Sequence, residues 1–279
     1  MSKYAEKKLP ISAVMVIYHE EKILERSLKS FCDIVNEIII VHDGKCADRS
    51  LEIAGKYTDK IFELGHVGAS ERHRPFTYQK AKNDWILQLD ADEYLSEDLR
   101  NNLERLIADE VDAYDVLSSI CRKGRQHFIF YKRMLFRKSR MYFIGVTHEA
   151  AKPVSKNARI KKTEHKLMHE PSYDNLSFSV FRNKWKKLSK IQAKQLLEDF
   201  SAIPKWNCSL TDWERHRRIR EKHPVLLGMV ATPVYHAHQC VKNFLRHRDP
   251  YFLKQLFFSS LYHIHLYYYL NKYKKNGKA

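Results

Sequence analysis

Leu89-Asp90-Ala91-Asp92-Glu93 sets two carboxylates at D-x-D spacing directly after the apolar run from Trp85 to Leu89. Carboxylates so placed can share a divalent cation. Mg²⁺ and Mn²⁺ prefer oxygen ligands and keep water or phosphate oxygens in their remaining positions. A cation held between carboxylates and a diphosphate stabilises a phosphate leaving group. D-x-D alone is frequent by chance and also describes a solvated acidic turn; its place behind a buried strand is what favours the metal. A second candidate is Glu149, at the end of Phe143-Ile-Gly-Val-Thr-His-Glu149. One positioned carboxylate can take the proton from an attacking hydroxyl, although a single His-Glu pair is more often an ordinary surface pair.

Elements of an alternating kind must position these groups. Ser12–Ile17 reads as a buried strand, Glu20–Phe31 as a helix with Leu24, Leu28 and Phe31 on one face, and Glu37–His42 as a second strand. A helix over Arg49–Tyr57, a short strand over Lys60–Leu64, helix up to Lys82 and a strand over Trp85–Asp90 continue the series. That rhythm predicts an α/β chain with a mainly parallel sheet. Tyr18-His19-Glu20, Asp43-Gly44 and Asp90-Ala91-Asp92 each close an apolar strand. Parallel sheets bind ligands at those carboxyl ends, so three polar clusters predict one site.

Ser96, followed by Glu97 and Asp98, caps a helix expected to reach Ile107. The rhythm then changes. Ala113–Ile120, Gln126–Arg137 and Met141–Val146 read as strands without intervening helices, a mixed β extension. From Asp174 the chain reads as helical and basic, with Thr211-Asp212-Trp213-Glu214 expected as a capping box and an aromatic helix over Pro250–Lys275.

The 279 residues carry 50 Lys+Arg against 33 Asp+Glu, a formal +17, and the surplus lies mostly beyond Arg122. Such a field attracts polyanions: anionic lipid, nucleic acid or phosphorylated small molecules. Lys184, Lys186, Lys187, Lys190 and Lys194, then Arg215, Arg217, Arg218 and Arg220, fall near aromatic residues and suit an anionic membrane surface. Tyr251–Leu270 can insert into the interface or cover the core. No nucleic-acid-binding module is recognisable, so no nucleic-acid partner is expected. Cys32, Cys46, Cys121, Cys208 and Cys240 are scattered without C-x-x-C spacing. Ordinary reduced thiols are the expectation, and a thiolate zinc site is not. No apolar leader or span of roughly 18 apolar residues occurs, which predicts a cytoplasmic protein, peripheral at the inner face of the cell membrane.

The sequence resembles the family-two glycosyltransferases of the GT-A fold. Ile11-Ser-Ala-Val-Met-Val-Ile-Tyr-His-Glu-Glu21 is similar to that family's opening strand and Tyr-Asn-Glu-Glu turn. Glu37-Ile-Ile-Ile-Val-His-Asp-Gly-Lys-Cys-Ala-Asp-Arg-Ser50 is similar to its second strand and Asp-Asp-Gly-Ser-x-Asp turn, and Asp84–Glu93 to its D-x-D strand. The nearest likeness is to the lipopolysaccharide-core glucosyltransferase branch, through Leu-Asp-Ala-Asp-Glu and the later Gly-x-x-His-Glu. Arg74-Pro-Phe stands for that branch's Arg-Asn-x-Ala-Leu segment. His19 and His42 replace the family's Asn and first Asp, which leaves the nucleotide open.

The resemblance implies a nucleoside-diphosphate sugar donor, a UDP-sugar favoured, with Tyr18, Glu20, Asp43, Arg74 and Asp90 binding it. It implies Mg²⁺ or Mn²⁺ on Asp92, with His148 as a further ligand or as the group that orients the base, and Glu149 as general base. Arg72 and His169 are additional candidates for the same site. The expected reaction is an inverting, hexosyltransferase-type transfer to a hydroxyl of a glycan or lipid-linked acceptor, in lipopolysaccharide, capsule or related surface-glycan synthesis. Residues 1–170 are expected to form the catalytic domain and 171–279 a basic helical region on the acceptor side. The rival readings are a sugar nucleotidyltransferase, which lacks here its Gly-rich phosphate loop, and a non-catalytic membrane- or nucleic-acid-binding protein.

Overall fold

The computed structural model describes residues 8–122, 125–221 and 248–277 and single positions between 230 and 245; side chains at 121–129 and 217–221 are outside the description. The basic residues Arg217, Arg218 and Arg220 belong to that last group. The chain divides into two compact units. One comprises residues 1–145, 149–172 and 204–207, the other 146–148, 173–203 and 208–279.

Among the described residues the first unit holds an eight-stranded mixed sheet. Its first half is β1 (Leu9–Ile17), β2 (Val35–Asp43), β3 (Ile61–Leu64) and β4 (Trp85–Leu89), parallel in the order β3-β2-β1-β4. The second half is β5 (Glu93–Leu95), β6 (Ala113–Arg122), β7 (Arg125–Arg137) and β10 (Ile160–His169), continuing as β7-β6-β10-β5. β4 meets β7 antiparallel, β6 and β10 run parallel, and β10 meets β5 antiparallel. A second, three-stranded sheet joins β8 (Met141–Ile144), β9 (Lys152–Pro153) and β11 (Lys205–Trp206). The predicted α/β architecture with a mixed extension is thus present.

The parallel strands read as unbroken apolar runs because both faces of the sheet are covered. Ile11, Ala13, Met15 and Ile17 share one core with Leu87, Leu89 and the helices α1 (Leu24–Lys29), α2 (Ser50–Gly55) and α4 (Glu97–Ala108). Val14, Ile39 and Ile86 face the opposite core, packed with Phe136, Phe143 and Tyr78 of α3 (Arg74–Lys80). Ser96 caps α4 as expected, accepting the Leu99 amide at 3.1 Å.

Two helix starts differ from expectation. Regular helix begins only at Leu24, after a turn in which the Glu20 carbonyl accepts the Ile23 amide at 3.1 Å and the Leu24 amide at 3.0 Å. The free amides at this start are satisfied from α2 and the loop before it: Glu20 donates to Ser50 Oγ at 2.7 Å and Glu21 to Asp48 Oδ2 at 3.2 Å. In the second unit, α7 (Leu210–Glu221) opens one residue before Thr211, so the capping box is Ser209 with Asp212. Asp212 donates its amide to Ser209 Oγ at 3.1 Å, and its carboxylate accepts the Ser209 amide at 3.1 Å.

That second unit also holds α5 (Phe178–Val180), a π-helical turn over Phe181–Trp185, α6 (Lys186–Gln195) and α8 (Tyr251–Lys275). Tyr262 donates to Gln192 at 2.8 Å, and Gln192 to the Thr147 carbonyl at 2.7 Å. Lys190 and Lys194 lie over the rings of Tyr269 and Tyr273, one helical turn apart on both helices. Among the described residues no helix is long and apolar enough to cross a membrane.

Candidate active site

The D-x-D turn is assembled by strand register. Trp85 pairs with Arg137 and Leu87 with Leu135, so β7 runs past the end of β4 and carries Lys132 alongside the turn. Lys132 Nζ lies 2.8 Å from Asp90 Oδ2 and 2.6 Å from Glu93 Oε2. Arg74, the first residue of α3, holds the other Asp90 oxygen at 3.1 Å. Glu93 is buried, and its carboxylate also accepts the Asp90 amide at 2.9 Å, which closes the turn. On the far side β10 pairs His169 opposite Glu93, and this register delivers His169 Nε2 to Asp92 Oδ2 at 3.1 Å.

These contacts set the charges. Burial works against ionised Asp90, but the Lys132 ammonium and Arg74 guanidinium outweigh it and hold its pKa well below the usual carboxylate range. Glu93 goes the other way: its burial, aided by Asp90, raises its pKa despite Lys132. Burial opposes the Lys132 ammonium, yet Asp90 and Glu93 raise its pKa, so it stays charged. Burial likewise opposes the His169 imidazolium, and the hydrogen-bonded Asp92 carboxylate lifts it above its ordinary value. Cations thus line the turn on two sides, while Asp92 is engaged by an imidazole alone among these basic groups.

A second cluster gathers at the ends of β1 and β2. Asp43 accepts the Val67 amide at 2.7 Å, the Gly68 amide at 2.9 Å and His73 Nε2 at 2.9 Å. Burial raises its pKa, but these donors prevail and lower it. The more exposed His66 imidazole approaches its second oxygen at 3.3 Å. Gly44 follows with φ +96°, and a Cβ there would meet His66 Cβ at 2.8 Å, so the turn requires glycine. Tyr18 is 46% exposed and its ring contacts those of His19, His42 and His66 at 4.1, 5.9 and 4.9 Å. His19 has φ +53°, a conformation in which Asn, Asp and His are enriched. Glu20 is anchored through its amide to Ser50. Because His73 precedes Arg74, the Asp43 and Asp90 clusters are joined through consecutive residues.

Glu149 is buried on the loop after β8 and pairs with Lys152 at 2.7 Å. The loop begins at Gly145, whose amide donates to the Pro204 carbonyl at 2.8 Å. A Cβ on Gly145 would lie 2.7 Å from that carbonyl oxygen and 3.2 Å from that of Glu71. Glycine is therefore what lets the Gly-x-x-His-Glu segment pass beside the Glu71–Arg74 turn. His148 has φ +64° and belongs to the second unit, its ring against Trp185 at 5.8 Å and Tyr262 at 5.0 Å.

Lys132 and His73 were not legible as site residues. Lys132 lies inside the basic run Tyr131-Lys132-Arg133, and only the β4–β7 register distinguishes it. A carboxylate oxygen and an imidazole nitrogen 3.1 Å apart fit a hexacoordinate cation, since adjacent ligands at ~2.1 Å from a metal are ~3.0 Å from each other. The remaining ring nitrogen, His169 Nδ1, is buried and has no hydrogen-bond partner among the described residues, so among them Asp92 is the polar group that orients this ring. Asp92 and His169 thus fit Mg²⁺ or Mn²⁺.

The parallel half of this mixed α/β sheet brings acidic and basic side chains together at its strand ends, the place where open α/β folds bind ligands. The family can be named as well. Residues 12–181 match the family "Glycosyl transferase family 2", and the chain belongs to it. An uncharacterized glycosyltransferase of Rickettsia bellii (strain RML369-C) is 35% identical over 113 residues, 39% of this chain and 36% of that protein. One of Rickettsia typhi (strain ATCC VR-144 / Wilmington) is 32% identical over 123 residues, 42% of this chain and 40% of that protein. The matches thus span only about two fifths of these relatives' length. Among solved structures, S. aureus TarS 1–349 in complex with UDP-GlcNAc is similar with a TM-score of 0.46 and 12% identity, over 96% of this chain and 92% of that one.

Proposed function

We propose that this protein is an inverting glycosyltransferase that moves a sugar from a nucleoside-diphosphate sugar to a hydroxyl of a glycan or lipid-linked acceptor. The observation that carries the reading is the D-x-D turn of a family-two member, with Arg74 and Lys132 on Asp90 and His169 on Asp92. The donor's base lies on Tyr18, beside the Glu20 turn, and a base or ribose donor takes the Asp43 oxygen now faced by His66. Arg74 binds the diphosphate, and Asp90, held ionised, accepts hydroxyls of the ribose or sugar. Asp92 with His169 would hold Mg²⁺ or Mn²⁺, which when bound would supply charge neutralisation for a diphosphate leaving group. Glu149 accepts the acceptor's hydroxyl proton as its oxygen attacks the anomeric carbon, and a single displacement inverts that centre. His148 is the further candidate, as a metal ligand or as the group that orients the base.

Residues 1–170 carry this chemistry, and 171–279 serve the acceptor side, in a surface-glycan step such as lipopolysaccharide core or capsule. A membrane-facing role for the helices is supported by Lys184, Lys186, Lys187, Lys190 and Lys194 in one unit with the exposed aromatics Phe178, Phe257 and Tyr268. Each Lys near an anionic leaflet contributes about 1 kcal/mol. Co-sedimentation with phosphatidylglycerol vesicles but not phosphatidylcholine vesicles is the expected behaviour.

Calorimetric titration with UDP, with and without Mn²⁺, tests the donor site. Metal-dependent binding that Asp92→Ala weakens supports the reading, and a screen of UDP-sugars then defines the donor. Failure of UDP, GDP, CDP and dTDP alike to bind the folded protein would sink it.

A further inference from the structure

We propose that His19, His42, Cys46 and Asp48 form a binding site for a thiophilic divalent cation of the zinc class, separate from the acidic pair Asp90 and Asp92. Each of the four offers one ligand atom, and these atoms all lie within 4.8 Å of one another. Two imidazoles, a thiol and a carboxylate are the donor set that selects zinc or cobalt, whereas magnesium takes oxygen. Tetrahedral bonds of 2.0–2.3 Å leave ligand atoms about 3.3–3.8 Å apart. Two separations already meet that spacing: Cys46 Sγ to Asp48 Oδ1 at 3.4 Å, and His19 Nδ1 to Asp48 Oδ1 at 3.8 Å. Closure by about 1 Å brings the widest pair within it.

The hydrogen bonds around the cluster prepare it for a cation. His42 is fully buried, and its Nδ1 lies 2.6 Å from the Gly44 carbonyl. A carbonyl accepts only, so Nδ1 carries the proton and Nε2 presents a lone pair. Its contact on that side is the His19 amide at a long 3.5 Å. Fixing a ligand histidine through its other ring nitrogen is the usual arrangement at metal sites. Asp48 is oriented by the Ser50 amide at 3.0 Å and the Glu21 amide at 3.2 Å, and the Cys46 amide is tied to Glu63 at 3.0 Å. Loading replaces the thiol hydrogen: the Cys46 proton leaves to solvent as the metal–sulfur bond forms. The resulting thiolate and Asp48 carboxylate balance the two positive charges.

C-x-x-C spacing does not announce this site because its ligands come from two different strand ends. His19 lies just beyond β1, His42 is the last residue but one of β2, and Cys46 and Asp48 sit in the next loop. Cation binding at this cluster does not depend on the Asp92 site, so the Asp92→Ala protein separates it from donor binding.

The full chain is titrated with Co²⁺ and then Zn²⁺, beside Cys46→Ser, His19→Ala and Asp92→Ala, each checked for folding by circular dichroism. Wild type and Asp92→Ala are expected to show a thiolate-to-cobalt charge-transfer band at one equivalent, which Zn²⁺ abolishes. Cys46→Ser should lose the band and bind Zn²⁺ about 100-fold more weakly, and His19→Ala should bind it at least about 10-fold more weakly. Peptide-level alkylation of the wild-type protein supplies a readout independent of any variant: Zn²⁺, but not Mg²⁺, should protect Cys46. A missing band in wild type, a band that survives Cys46→Ser, or Cys46 alkylated equally fast under saturating Zn²⁺ would overturn the proposal.

Discussion

Lys132 reaches Asp90 at 2.8 Å because the β4–β7 register carries one strand beyond the end of the other. The same ammonium satisfies Glu93, whose side chain is only 2% exposed. Removing one member of a buried pair leaves an uncompensated charge and costs about 3 kcal/mol or more. Lys132→Met should therefore lower the urea midpoint strongly. Lys132→Met with Glu93→Gln should recover a large part of the loss, because the charge stranded by the first change is gone. A double variant as unstable as the single one would show that Lys132 acts by packing instead.

How far the sequence disclosed this arrangement depended on the kind of contact. β1, β2 and β4 were legible because a strand covered on both faces must be apolar throughout, and Asp43, Asp90 and Asp92 were legible as the polar ends of those runs. Lys132 was not, since nothing in Tyr131-Lys132-Arg133 says which side chain faces the turn. The anchoring of the turn before α1 was equally hidden, since the acceptors of the Glu20 and Glu21 amides, Ser50 and Asp48, lie far along the chain. The capping box expected at Thr211 forms at Ser209 instead: each precedes an acid by three residues, and only the helix bond pattern separates them.

Glu149→Gln separates chemistry from donor binding. If Glu149 is the base, kcat should fall about 100- to 10,000-fold, while calorimetric affinity for the nucleoside diphosphate stays within a factor of about two. An equal loss in affinity would place Glu149 in the donor pocket or in the fold.

Gly145→Ala probes the passage of the same loop. The added Cβ would meet the Pro204 oxygen at 2.7 Å, and neither of two backbone segments can move aside cheaply. Overpacking of this kind costs about 1–3 kcal/mol. Thermal unfolding should show a lowered midpoint, and activity should drop further than the lost stability explains, because the loop carries Glu149.

Glu37 governs part of the acid limb. Burial raises its pKa, but Lys60, the Ser12 hydroxyl and the Lys82 amide at 2.8 Å together lower it below its ordinary value. A depressed folded pKa contributes stability that is present above the unfolded value near 4.5 and lost as pH falls through the folded one. Urea midpoints of wild type and Glu37→Gln should accordingly differ at pH 7 and converge below pH 4.5. A gap that stays constant down to pH 3 would mean the contribution is not electrostatic.

Tyr18 is the most exposed of the residues proposed to bind the donor. The ring lies beside three imidazoles, and 46% of the residue's surface is open to solvent, enough for a planar ligand to reach it. Base–aromatic stacking is worth about 1–3 kcal/mol. Tyr18→Ala should therefore weaken nucleoside-diphosphate binding about 10-fold or more, and Tyr18→Phe should retain it, since the ring rather than the hydroxyl makes the contact. Inorganic diphosphate binding should be unchanged in both variants, because Arg74 and the Asp92 site remain intact. If Tyr18→Ala binds nucleoside diphosphate as wild type does, the base lies elsewhere than over this ring.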